Sequence, residues 1–272
     1  MLVVLVFPGN VGVGQASPQS FWELRPEATE AMLHSPSDDT DRRYIRLRQY
    51  FADLHCTSAL MEEQAISKHR AKNLICILPG KDAEQIVVAA RYDRRSGTDD
   101  PAQGWTEAVT LPILYNALLA GHRQHTFVFA ELCGTAGEDA FVGRLHGKQR
   151  PLPMALVVMD ALGRSGPWYY TSEEMPLSAK GRARAAINRR LESEAAFTAR
   201  LQGLPVSLTA TQAAVQNRVL FEADPIPTIL VYSVSNWNAP ASSEAFRQDF
   251  EFLAYYLCRI DLKLASPIPP SH

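Results

Sequence analysis

The chain has 272 residues, a formal net charge of -2, 46% hydrophobic residues and 21% charged residues. This balance supports the core of one large domain or two small ones and excludes wholesale disorder. Lys and Arg are spread along the chain, apart from a cluster at Arg182–Arg190, so nucleic acid and anionic membrane are not expected as partners.

The amino end, residues 1–16, reads as an export signal. An apolar run, Met1–Phe7, is followed by Pro8 and small residues, with Gly14 and Ala16 placing cleavage before Ser17. It lacks a basic n-region, which an upstream start would supply. The competing reading is a first core strand, Leu2–Phe7. No other run approaches the roughly 20 apolar residues of a membrane span, so no transmembrane segment is expected, and the protein is expected in the periplasm or outside the cell.

Residues 17–40 are polar and rich in Pro, Ser and Asp. A helix is expected over Asp39–Leu54, capped by Asp39 or Thr40, with Tyr44, Leu47, Tyr50, Phe51 and Leu54 at helical spacing. Strands are expected at Ala59–Ile66, at Asn73–Leu78 before the Pro79-Gly80 turn, and at Gln85–Arg91. The last is a continuous β-branched run, as in a strand covered on both faces. A helix over Thr106–Ala120 precedes strands at His125–Ala130 and Met154–Met159. Ala179–Leu201 reads as a long helix whose basic run forms a solvated face. A strand at Pro227–Tyr232 and a closing helix at Ser242–Leu264 complete the order, and residues 266–272 read as a frayed tail.

Strands alternating with helices predict an α/β fold: a mostly parallel central sheet with helices on both faces. No internal repeat divides the chain. Ligand sites in such sheets lie beyond the carboxyl ends of the strands. That rule singles out Arg91-Tyr92-Asp93, the stretch Glu131–Gly134, Asp160, and Gln216-Asn217-Arg218.

The four cysteines, Cys56, Cys76, Cys133 and Cys258, are too widely spaced for a zinc knuckle. Buried free thiols are the favoured expectation; an oxidising compartment would permit disulfides, with the pairing open. Cys133 lacks a nearby base for nucleophilic work, since His122 and His125 precede the opposite end of the same strand. Gly163-Arg164-Ser165-Gly166 lacks the spacing of a serine-hydrolase elbow. Trp105 and Trp237 are candidates for lining a cleft, with packing as the alternative role.

Four stretches in this order resemble the zinc aminopeptidase-like exopeptidases, a family that includes bacterial leucyl aminopeptidases, glutamate carboxypeptidases and glutaminyl cyclases. They are Asn73–Gly80, Ile86–Asp93, Thr126–Phe129 and Val158–Gly166. The resemblance implies a single aminopeptidase-like domain over residues 17–265. It also implies a di-zinc site built from two His, two Asp and one Glu, with a second Glu as general base. Carried over by motif, the first His falls on Arg91 and the Asp beside it on Asp93. The bridging Asp falls near Gly104, the Glu pair on Cys133 and Gly134, the second Asp on Asp160, and the last His near Arg218. Of the ligands, only Asp160 is kept. Arg stays protonated and offers no lone pair.

A branch of this superfamily represented by nicastrin, a receptor subunit of a membrane protease, has lost its site in a similar way. The likeness lies at Ala90–Ser96, Glu107–Val109 and Glu138–Gly143. The resemblance therefore implies a non-catalytic pseudo-peptidase with a binding cleft at Arg91, Asp93, Gly104, Trp105, Asp160 and Arg218. Its partner would be a peptide, a protein or a small anionic ligand, with no cofactor. Arg91 and Arg218 would pair with Asp93 and Asp160. The alternative is an active hydrolase with a rearranged site drawn from Asp99, Asp100, Glu131, Glu138 and Asp139, holding Mg or Ca better than zinc. A third reading, a structural subunit of an envelope complex, would need an exposed apolar patch.

Overall fold

The computed structural model describes residues 33, 39–66, 70–93, 104–147, 152–164, 168–171, 179–204, 226–233 and 241–265. The export signal at 1–16, the tail at 266–272, and Asp99, Asp100, Arg218 and Trp237 lie outside them.

Helix α1 spans Thr40–Asp53, with the Asp39 carboxylate accepting the Asp41 and Arg42 N–H groups at 2.8 and 3.4 Å. Strands β1 (Met61–Ala65), β2 (Lys72–Leu78) and β3 (Gln85–Arg91) follow. Helix α2 (Trp105–Leu119) leads to β4 (Thr126–Leu132), and α3 (Gly134–Leu145) to β5 (Ala155–Asp160). Then come β6 (Trp168–Thr171), α4 (Ala179–Leu201), β7 (Thr228–Tyr232) and α5 (Ser243–Leu264).

The strands form one sheet in the order β1-β2-β4-β3-β5-β7-β6. The central four, β4-β3-β5-β7, are parallel; β1, β2 and β6 add antiparallel edges. This is the expected α/β fold, its parallel character confined to the middle. Successive strand side chains point to opposite faces, and the core divides accordingly. Val88, Phe129, Val157 and Val231 pack under α1, α2, α4 and α5. Val87, Val128, Val158 and Leu230 pack under α3, through Phe141 and Leu145. Because α2 lies between the sheet, α1 and α5, it is buried almost all round, with Thr106, Glu107 and Thr110 buried alongside its apolar residues.

Three local features differ from the sequence expectations. Cys56 and Cys76 form a disulfide that pins the end of α1 to β2, leaving Cys133 and Cys258 as free thiols. The β1–β2 hairpin folds β2 back beside α1, bringing the two Cα atoms to 6.3 Å. Within the basic run of α4, Arg184 and Asn188 are buried rather than solvated, because this face of α4 packs on the rest of the fold with Leu191 and Ala195. Helix α3 and strand β6 are elements the sequence patterns did not reveal.

Candidate functional site

The carboxyl ends of β3 and β4 are in register, with Arg91 opposite Leu132 and the Tyr92 N–H donating to the Leu132 carbonyl at 3.0 Å. The residues that follow are therefore neighbours: Asp93 after β3, and Cys133-Gly134 after β4. Asp93 accepts from Arg91 Nε at 3.0 Å and from Nη2 at 2.8 Å, a bidentate pair. Its Oδ1 also accepts the Gly134 N–H at 2.8 Å. Cys133, the residue capping α3, makes no side-chain cap bond; its own N–H is taken by Asn73 Oδ1 at 3.1 Å. The amino end of α3 is thus satisfied by side chains from two strands, and its partial positive charge adds to the pull on Asp93.

Gly104 sits directly behind this pair. It has φ of 75°, and a Cβ there would come within 2.4 Å of the Asp93 carbonyl oxygen, so only glycine lets α2 begin at this point. Arg43, fully buried, donates from Nη1 to the Tyr92 carbonyl at 3.1 Å and lies over the Trp105 ring. Trp105 is fully buried beneath Arg43 and Arg46.

A cleft of about 380 Å³ opens above these strand ends, lined by Thr40, Ile66, Ala71, Arg91, Asp93, Cys133, Gly134, Thr135 and Ala136. Four of the residues singled out from the sequence, Arg91, Asp93, Cys133 and Gly134, therefore meet at one place. Asp160 lies fully buried at the end of β5, close enough for its charge to act on Arg91. Gly104, Trp105 and Asp160, expected in the cleft, are not in its lining. Among the carboxylates of the rearranged-site reading, Glu131 and Glu138 are buried and Asp139 is exposed.

Several buried acids lie near these strand ends, outside the cleft lining. Glu138 approaches Arg91 Nε at 4.0 Å. Glu107, on the first turn of α2, accepts from the Thr106 hydroxyl at 2.8 Å and from the Ala161 N–H that follows β5. Asp249, from α5, accepts the Gly163 N–H at 2.6 Å. Neither carboxyl oxygen of Glu131 has a hydrogen-bond partner.

Charge states follow from these surroundings. Burial works to lower the Arg91 guanidinium, but the hydrogen bonds and charge of Asp93, with the charges of Glu138 and Asp160, outweigh it and hold it above its usual value. Burial, reinforced by the Glu107 charge, pushes Glu131 well above the carboxylate range. Burial pushes Asp249 up to about 7, with Glu107 adding and the Gly163 and Ser233 hydrogen bonds opposing. Burial is also the main cause that raises the Cys133 thiol, so it is held as the weakly nucleophilic SH form.

Asp249, a buried acid behind the strand ends, was not singled out in the sequence. Its only sign was an acid set among Phe246, Phe250 and Leu253 on the apolar stripe of α5. Around the cleft, no three His, Cys, Asp or Glu ligand atoms converge among the described residues; one such group does form, at the other end of the sheet.

No family model and no curated protein matches this sequence. Solved structures do. A glutaminyl cyclase from Macrostomum lignano superposes with a TM-score of 0.66 at 15% identity, over 88% of each chain. The Legionella pneumophila LapA aminopeptidase gives 0.64 at 15% identity, over 87% of this chain and 70% of that one. BSAP, a zinc aminopeptidase from Bacillus subtilis, gives 0.52 at 16% identity, over 70% of this chain and 50% of that one. At such identities the likeness is one of fold: the chain has the fold shared by zinc aminopeptidases and glutaminyl cyclases.

Proposed function

We propose that this chain is a pseudo-peptidase. It keeps the aminopeptidase-like fold, carries Arg91, Cys133 and Gly134 where metal ligands and base would stand, and uses its cleft to bind rather than hydrolyse. The observation that carries this reading is the bidentate Arg91–Asp93 pair at the strand ends. A guanidinium held there cannot ligate zinc and puts positive charge where a cation would sit. Arg91 spends Nε and Nη2 on Asp93, so Nη1 is the guanidinium nitrogen left to meet a ligand carboxylate. The favoured ligand class is therefore a peptide or protein end, or a small molecule, that carries a carboxylate.

In this reading residues 17–265 act as one exported domain released before Ser17. The Cys56–Cys76 disulfide is what an oxidising compartment produces. Among the described residues no helix is long and apolar enough to cross a membrane. The nicastrin-like loss of the site fits the same picture, as a binding role without catalysis.

The test is an assay of the full chain on aminoacyl p-nitroanilides and short peptides, with added Zn2+ and with chelator. No turnover above background is expected. Calorimetry with peptides ending in a free carboxylate should show binding that Arg91→Gln weakens. Chelator-sensitive release of amino-terminal residues would overturn the proposal in favour of an active, rearranged metallohydrolase. That second reading draws its support from Glu131, a buried acid without a partner.

A further inference from the structure

The geometry points to a divalent-cation site at the amino end of the sheet, in which His125, Asp82 and Glu84 take a borderline metal such as Zn2+. It lies about 20 Å from the cleft, since seven strand residues at roughly 3.3 Å each separate the two ends of β3.

Two loops bring the residues together. The segment before β3 is stitched to the segment before β4 by backbone bonds. The Lys81 N–H donates to the Arg123 carbonyl at 3.1 Å, Asp82 N–H to Gln124 at 3.0 Å, and Thr126 N–H to Glu84 at 2.9 Å. The Thr126 hydroxyl adds a bond to the Asp82 carbonyl at 2.9 Å. Gly80 passes so near that a Cβ would fall 2.2 Å from the His125 carbonyl oxygen.

Asp261, from α5, then fixes the imidazole. Its Oδ2 accepts the Gln124 N–H at 2.9 Å, and its Oδ1 accepts the His125 N–H at 2.8 Å. Oδ1 also faces His125 Nδ1 at 3.0 Å. A carboxylate in that position receives Nδ1–H, which leaves Nε2 as the lone-pair nitrogen. This carboxylate–histidine relay orients imidazole ligands in metal sites.

Nε2 belongs to a fully buried side chain and has no hydrogen-bond partner. Its nearest carboxylate atom is Glu84 Oε2 at 3.8 Å. Asp82 spends Oδ2 on the Gln124 amide at 2.9 Å, while its Oδ1 is buried and unpartnered. One ligand atom from each of the three residues lies within 4.8 Å of the others. Three acceptor-bearing residues converge, and no donor reaches His125 Nε2 or Asp82 Oδ1; a cation is what satisfies such a set. One imidazole and two carboxylates suit Zn2+, with water completing the shell, and neutralise its charge. Glu84 is 63% exposed at its side chain and gives the ion a way in. Bound there, the metal would clamp the β2–β3 turn, the start of β4 and α5.

The test is calorimetry of the chelator-stripped full chain with Zn2+, backed by the visible spectrum of the Co2+ form. One equivalent is expected to bind. Glu84→Gln at the exposed ligand, and Asp82→Asn, should each weaken binding by about tenfold or more while leaving the circular dichroism spectrum of the folded chain intact. The proposal is overturned if no saturable uptake occurs below millimolar Zn2+. It is equally overturned if uptake is unchanged in both variants, which would place the ion elsewhere.

Discussion

Asp93 and the His125 set, at opposite ends of the central strands, treat their acceptors in opposite ways, while Glu131 at the first end is also unmatched. At the carboxyl end, Asp93 is met by three donors, two from Arg91 and one from Gly134. At the amino end, His125 Nε2 and Asp82 Oδ1 meet none, and Glu84 only adds another acceptor. The lesson concerns where to look for an ion. A site whose acceptors are already matched by fixed donors has been closed from within. One whose acceptors converge unmatched is open to a cation, even though it lies far from where ligands usually bind in this kind of sheet.

That contrast can be broken most forcefully at Arg91. Arg91→Ala would leave Asp93, Glu138 and Asp160 without their shared counter-charge. The expected loss is roughly 3–5 kcal/mol of unfolding free energy, as when one partner of a buried pair is removed, read from urea denaturation. If instead Arg91→Ala combined with Glu84→Gln, which disables the amino-end site, gains stability on adding Zn2+, the carboxyl-end acids were one substitution away from being a metal site.

At the amino end, Gly80→Ala should cost roughly 2–3 kcal/mol, because the added Cβ meets the backbone of His125 rather than a movable side chain. The same variant should weaken Zn2+ uptake, since it shifts the loop that carries Asp82 and Glu84. A variant that loses stability and keeps full uptake would separate loop packing from ligand geometry.

The smallest effect is a pH dependence that belongs to the carboxyl end. Asp249 has a folded pKa of about 7 against an ordinary 3.8. Between those values the folded chain holds a proton that the unfolded chain has released. Stability is therefore greatest at the acid side and falls as pH rises toward 7. Glu131, raised by burial, acts in the same direction. The fall from pH 5 to 7 due to Asp249 should be roughly 2 kcal/mol, and Asp249→Asn should remove that share in melting curves run with chelator. A slope left unchanged by the substitution would assign the whole of it to Glu131.

The fold was largely legible because its strands are apolar runs and its longer helices carry stripes. Ala179–Leu201 fell where expected to the residue. Helix α3 escaped because it opens on Gly134-Thr135-Ala136-Gly137 and buries only Gly137, Glu138, Phe141 and Leu145. Its start is fixed instead by Asp93 and Asn73, from strands far away in sequence. The site was half legible for the same reason. Strand ends can be read from where apolar runs stop, so Arg91, Asp93, Cys133 and Gly134 could be grouped. Glu107, Asp249 and the His125 set could not, since each depends on a partner brought in by another element. Arg184 shows the converse: a charge run is solvated only until a neighbouring helix covers part of it.

Among the described residues, strand β1 bounds one side of the sheet. Its sequence, Met61-Glu62-Glu63-Gln64-Ala65, is polar, with Glu62 paired to Arg144 and Glu63 to Arg48 and Lys72. A flat apolar border would template an extra chain through its free backbone groups, and charged residues there discourage it. Recognition of an extended segment by simple strand addition is therefore disfavoured along this margin. Under the proposed binding role, a peptide end at the mouth above Arg91 would be met by side chains rather than lengthwise by backbone.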